Sequence, residues 1–192
     1  MREENRSVRQ QQIEAAAYEV LEARGYAGTS MLGIARKARA SNETLYNWYG
    51  DKAGLFRSLA EANAQAISDE LAGAIAGGRG KDALERASTH LIAMLLGPRA
   101  IALNQAAAGD PTGDLGRAIA TGGRDRIAPM VGALITSIWP HATGADVETF
   151  LALLIGDTQI RRAIGVLPDP SPADCAARAA RAVAGFATLM ER

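Results

Sequence analysis

The chain has 192 residues, 48 % hydrophobic and 5 % aromatic. Its 21 basic residues match its 21 acidic ones, which excludes a protein that coats nucleic acid by bulk charge. The single cysteine, Cys175, excludes an intrachain disulfide.

The length suits one large or two small domains. Alanine, the best helix former, is abundant and β-branched runs are scarce, so an all-α protein is expected. No apolar run reaches the length of a membrane span. The polar start, MREENRSVRQQQ, lacks the apolar core of a signal peptide. A cytoplasmic location and no membrane partner are therefore expected.

The first seven or so residues are charged and read as frayed. A helix is expected from near Ser7 to Arg24, with Ile13, Ala16, Ala17, Val20 and Leu21 inward and Gly25 ending it. Arg2, Arg6, Arg9, Arg36, Lys37, Arg39, Lys52 and Arg57 make the N-terminal segment locally basic. Glu14, Glu19, Glu22 and Glu43 offset much of this.

Thr29 to Phe56 reads TSMLGIARKARASNETLYNWYGDKAGLF. The pattern predicts two short helices joined by a tight turn, then the start of a third. Thr29 or Ser30 can cap the first, whose small apolar face is Ile34, Ala35 and Ala38. Arg39 and Ala40 form the turn. Ser41 can cap the second, Asn42 to Trp48, and Gly50 can end it. Asp51 can cap the third. Leu45 is expected inward, with Ser41, Asn42, Thr44, Tyr46, Asn47 and Trp48 offering polar groups outward. A two-turn helix behind a tight turn fits the DNA major groove, and such groups can bond base edges or phosphates. A solvated helix of an ordinary bundle has the same residue types.

The ordered run Gly25-Tyr26, Thr29-Ser30, Ile34-Ala35, Ala38, Ser41, Thr44-Leu45-Tyr46, Lys52 and Leu55-Phe56 resembles the N-terminal domain of the tetracycline-repressor (TetR) family. The resemblance covers roughly the first 60 residues. It implies a three-helix helix-turn-helix DNA-binding domain, expected over 1–56. It also implies a helical ligand-binding and dimerisation domain, expected over 57–192. Double-stranded operator DNA, a second copy of the chain and a small-molecule ligand are the implied partners. Ser30, Ser41, Asn42, Thr44, Tyr46, Asn47, Trp48 and Lys52 are the expected DNA contacts, with Lys52 meeting a phosphate. The chain departs from the family pattern in two places. Arg39-Ala40 replace the usual Gly-Val of the turn, and Tyr49 replaces a Phe.

Beyond the motif, Lys52 to about Ile75 reads as one long helix, the implied lever between ligand and DNA. Gly77, Gly78 and Gly80 read as a loop rather than a phosphate cradle, since no strand precedes them and no GK[ST] follows. Helices are expected over Asp82–Leu96, Arg99–Ala108, Leu115–Trp139, Ala145–Gly165 and Pro172–Glu191. The third should kink or break at Gly122-Gly123 or at Pro129. The last, with Ala176, Ala179, Ala180, Val183, Phe186, Ala187 and Met190, permits a close partner helix.

No residue set in readable form supports nucleophilic catalysis. His90 and His141 lack ligand-spaced partners, so neither a metal nor a cofactor is expected. Cys175 suits a core position better than a redox sensor. The candidate ligand lining is Met94, Asn104, Gln105, Met130, Leu134, Trp139, Phe150, Leu154 and Asp157, with no charged ligand class suggested. The expected protein is a DNA-binding repressor released by a small apolar or amphipathic molecule. The alternatives are a regulator controlled by a protein partner and a helical enzyme.

Overall fold

Alanine-rich segments punctuated by glycine and proline build helices throughout. The structure, a computed structural model, describes residues 2–76 and 80–191, and among these the backbone forms eleven α-helices and no strand. The break expected at Gly77 and Gly78, and the side chains of Arg2 and Ile75, lie outside the described residues. The helices divide into two compact units, Met1–Ala62 with Ala102–Ile119, and Asn63–Ile101 with Ala120–Arg192.

The first unit holds α1 (Arg2–Gly28), α2 (Met31–Lys37), α3 (Asn42–Tyr49) and the start of α4 (Lys52–Ala76). It also draws in Ala102–Ile119, from beyond the expected boundary at residue 56. α1 begins at Arg2 rather than near Ser7, and Gly25 breaks its helical path at φ 66°, ψ 175°. Ile13, Ala17, Ile34, Leu45, Leu55 and Phe56 are fully or almost fully buried in its core, and Leu103 and Leu115 join them. In α1 the buried Ile13, Ala16, Ala17, Val20 and Leu21 recur at helical spacing, so the helix buries one stripe.

The second unit holds the later part of α4, α5 (Lys81–Leu95), α8 (Arg124–Ile138), α9 (Gly144–Ile155), α10 (Thr158–Ala163) and α11 (Pro172–Met190). Two further helices, α6 (Pro98–Ala108) and α7 (Asp114–Gly122), contribute residues to both units. α11 packs most on α5 and next on α9. Trp139, Phe186 and Phe150 stack edge to face, with ring centroids 5.4 and 5.2 Å apart, a geometry aromatic rings favour.

The 115–139 segment breaks at Gly123, one of the two expected places, while Pro129 stays inside α8. Other boundaries differ from the expected ones. The expected Ala145–Gly165 helix is two helices, because Gly156 adopts φ 52° and ends α9. α6 starts at Pro98, where a proline costs no hydrogen bond. The start of α11 follows expectation: Ser171 Oγ accepts from the Asp174 amide at 3.2 Å, and the Asp174 carboxylate accepts from the Ser171 amide at 3.0 Å. Among the described residues no single helix is long and apolar enough to cross a membrane.

Candidate nucleic-acid interface

The short helices α2 and α3 owe their geometry to two serine caps. Ser30 Oγ accepts from the Gly33 amide at 3.1 Å and starts α2. Thr29, the other expected cap, is instead buried and donates its hydroxyl to the Gly25 carbonyl at 2.7 Å. Ser41 Oγ accepts from the Thr44 amide at 3.0 Å and lies 2.7 Å from the Thr44 hydroxyl. Gly50, at φ 77°, ends α3, and the Asp51 carboxylate accepts from the Gly54 amide at 2.7 Å at the start of α4.

The turn between them has a feature the sequence left open. Arg39, where glycine is usual, holds φ at 51°, a region that disfavours any residue with a Cβ. Arg9 of α1 holds this turn: its guanidinium donates to the Arg39 carbonyl at 2.7 Å and to the Ala38 carbonyl at 3.4 Å, and to Gln12 at 3.0 Å. Sequence reading missed Arg9 as a positioning residue, because the contact joins residues thirty apart.

α3 is anchored by Leu45, which is fully buried. Ser41, Asn42, Tyr46 and Asn47 are exposed and Thr44 is half-buried. Trp48 is not on the outer face as expected. It is half-buried against the core, edge-on to Tyr49 at 6.3 Å between centroids, with the Arg6 guanidinium 5.4 Å from its ring centroid. The physical reason is its phase: Trp48 lies three residues after Leu45, on the same helical side.

Lys52 is not a free surface charge. Its ammonium donates to the Tyr26 carbonyl at 2.9 Å and sits 4.1 Å from the Tyr26 ring centroid, within cation–π range. An ammonium has three N–H donors, so two stay open for an anion. Tyr49 takes the place of a phenylalanine at a cost, since its hydroxyl is buried with no hydrogen-bond partner. Burial, and next the charge of Glu14, push its pKa up to about 12.

Six of the nine expected ligand residues meet in one core, and the other three lie apart from it. Asn104 and Gln105 belong to the first unit, and Gln105 is exposed. Leu134, Trp139, Phe150 and Leu154 are buried core of the second unit, and Met94 and Met130 pack partly against it. Asp157 is exposed and pairs with Arg161 at 3.9 Å. The reason is that large apolar residues on these faces pack on each other and fill the space between them. A cavity of about 320 Å³ lies elsewhere in the second unit, among Leu96, Thr158, Arg162, Leu167, Cys175 and Arg178 with their neighbours. None of the nine expected residues lines it. Burial raises the Cys175 thiol pKa, which keeps it out of the reactive thiolate form.

A capped helix-turn-helix with a polar outward face defines a DNA-binding transcriptional regulator. Residues 13–59 match the family described as bacterial regulatory proteins, tetR family. The match covers the helix-turn-helix of the N-terminal segment, and the chain as a whole has the fold of the TetR-family regulators it is similar to. It is similar to a protein of Mesorhizobium loti assigned to the TetR-family transcriptional regulators, at 21 % identity and TM-score 0.78 over 95 % of this chain and 96 % of that one. A TetR transcriptional regulator from Agrobacterium tumefaciens is 28 % identical, with TM-score 0.71 over 94 % and 93 % of the two chains. The transcriptional regulator FadR from Bacillus subtilis, solved in complex with stearoyl-CoA, is 18 % identical, with TM-score 0.69 over 92 % and 96 %. No curated protein matches the chain significantly.

Proposed function

We propose that the chain is a sequence-specific repressor that acts as a homodimer and leaves its operator when a small apolar or amphipathic molecule binds. The observation that carries the reading is the outward face of α3, with Asn42, Tyr46 and Asn47 exposed on a helix fixed by Ser41, Leu45 and Gly50. Ser30, Ser41 and Thr44 have hydroxyl lone pairs and protons beyond those their caps use, so they can also bond phosphates. Lys52, held by Tyr26, is the proposed phosphate contact, and Trp48 contributes at most its edge.

Residues 1–56 are the proposed DNA-binding part and residues 57–192 the proposed ligand and dimer part. α4 contributes Leu55, Phe56 and Leu59 to the first core and Ile67 and Leu71 to the second, which suits it to a linking role. Exposed Ile160, Ile164 and Val166, close together in the chain, with Leu153 and Leu189, support a dimer, because a partner would take their apolar surface out of water. A two-fold pair would set two α3 helices about 34–36 Å apart, or a multiple of that. The complex of FadR with stearoyl-CoA supports a fold able to house an amphipathic molecule.

The test is binding to DNA flanking the chain's own gene, followed by anisotropy, against unrelated DNA of equal length. Specific binding that a compound reverses supports the reading. Equal binding to both DNAs sinks sequence specificity, and binding that no compound reverses sinks the release.

A further inference from the structure

We propose that the cavity beside α11 binds a small organic anion, a carboxylate on an apolar body, gripped between Arg178 and Arg181. The assignment deepens the ligand-responsive reading and rests on it.

The cavity's volume, about 320 Å³, falls at the small end of ligand pockets, roughly 300–1,000 Å³. Ile92 of α5 and Leu96 just after its end, with Leu167, Pro168 and Pro170 of the loop before α11, give it apolar walls. Three arginines and two aspartates also line it, and their pairing decides what it can hold. Arg162 is satisfied: it pairs with Asp169 and donates to the carbonyls of Leu96 and Leu167 at 3.3 and 3.4 Å. Asp174 is satisfied too, because its carboxylate caps α11 through the Ser171 amide and hydroxyl at 3.0 and 2.6 Å.

Arg178 and Arg181 remain. Among the described residues neither forms an ion pair. Arg178 donates Nε and Nη2 to the carbonyls of Leu154 and Ile155, which the break at Gly156 leaves open at the end of α9. A guanidinium has five donors, so three stay available. Arg181 lies three residues further along α11, where helical geometry puts it beside Arg178. The two like charges repel: burial, and next Arg181, lower the Arg178 pKa. Asp157 acts on Arg178 in the opposite sense, but is itself paired with Arg161.

A carboxylate set between the two guanidiniums supplies the missing counter-charge and can accept from both. Its apolar body then rests on the leucine and proline walls. Sequence reading suggested no charged ligand class. The arginines come from a part of the chain distant from the expected lining, and they meet the α5 residues only in the fold.

The experiment is a titration of the isotope-labelled full-length protein, without DNA, followed by NMR. Sodium octanoate, octan-1-ol and inorganic phosphate are the probes. Octanoate should move the amides of Leu167, Cys175 and Ala177. It should bind at least about ten-fold more tightly than octanol, because a charge-assisted contact is at stake. Phosphate, lacking the apolar body, should bind more weakly than octanoate. Arg181→Gln should weaken octanoate by about ten-fold or more, while Arg126→Gln, on α8, should leave it unchanged. Arg181 is exposed, so its loss is compatible with folding. Equal binding of octanoate and octanol, an unaffected Arg181→Gln, or no movement at those amides overturns the proposal. Binding is read without DNA, so a separate anisotropy run in which octanoate leaves operator bound contradicts only the release reading.

Discussion

The Arg9 guanidinium donates to the carbonyl of Arg39 at 2.7 Å and so ties the first helix to the turn that aims the recognition helix. Arg39 holds φ 51° there without being glycine. A Cβ in that conformation costs roughly 1–2 kcal/mol. The clamp offsets a strain that glycine would not incur. Arg9→Met should therefore destabilise the protein by about 1–2 kcal/mol, read in urea unfolding. It should also weaken all operator variants together, since it acts through the turn. An unchanged unfolding midpoint would show that the clamp contributes nothing.

Tyr49 carries a hydroxyl that its surroundings do not use. Removing an unpartnered buried hydroxyl is neutral or stabilising, by up to about 1 kcal/mol. Tyr49→Phe should thus keep or raise the melting temperature. The same group makes stability depend on alkaline pH. Its folded pKa, about 12, lies above the ordinary 10.0. The unfolded chain therefore loses the phenolic proton first as pH rises. Stability from this group is full below the unfolded pKa and is lost as pH rises from 10 towards 12. Tyr49→Phe should flatten that part of the profile, and an identical alkaline profile for the two proteins would contradict the assignment.

Ile160 and Ile164 are 63 % and 67 % exposed, and the dimer reading places them at the partner. Ile164→Glu should produce monomers at micromolar concentration in sedimentation and lower operator affinity, with the helical signal intact. Phe186 is the contrasting case. It is fully buried between Trp139 and Phe150, so Phe186→Glu should unfold the protein rather than separate two folded chains. A wild-type monomer at the same concentration would remove the dimer from the account.

The local chemistry of the helix-turn-helix was readable because caps and turns act within three or four residues. Ser30, Ser41, Gly50 and Asp51 all do what their residue types suggest. Trp48 was misread because indole and phenol groups suit either face, and only the phase against Leu45 decides. Gly123 and Pro129 offered two break points. The glycine broke the helix, while Pro129 stays inside α8 as its sixth residue, where it removes one interior hydrogen bond. Gly156 lies inside the expected Ala145–Gly165 helix, yet its positive φ splits that helix in two. The cavity was beyond reach, since it forms where the end of α5 meets residues 158–181. Asn104 and Gln105 were drawn to the first unit by neighbouring Leu103 and Ala106, which bury themselves in its core.

The central claim is that α3 reads DNA bases while Lys52 holds a phosphate. It is tested most directly by measuring the wild type, Asn47→Ala and Lys52→Ala against a library of operator variants at several salt concentrations. Losing a base contact should cost roughly 1–3 kcal/mol for the preferred base and relax preference at that position. Asn47→Ala should therefore reorder the variants with little change in salt dependence. Losing a phosphate contact should weaken all variants alike and reduce the magnitude of the log–log salt slope by about 0.9. Lys52→Ala should do that and keep the order. If Lys52→Ala reorders the variants, or Asn47→Ala lowers every affinity equally, the recognition helix is not docked as described.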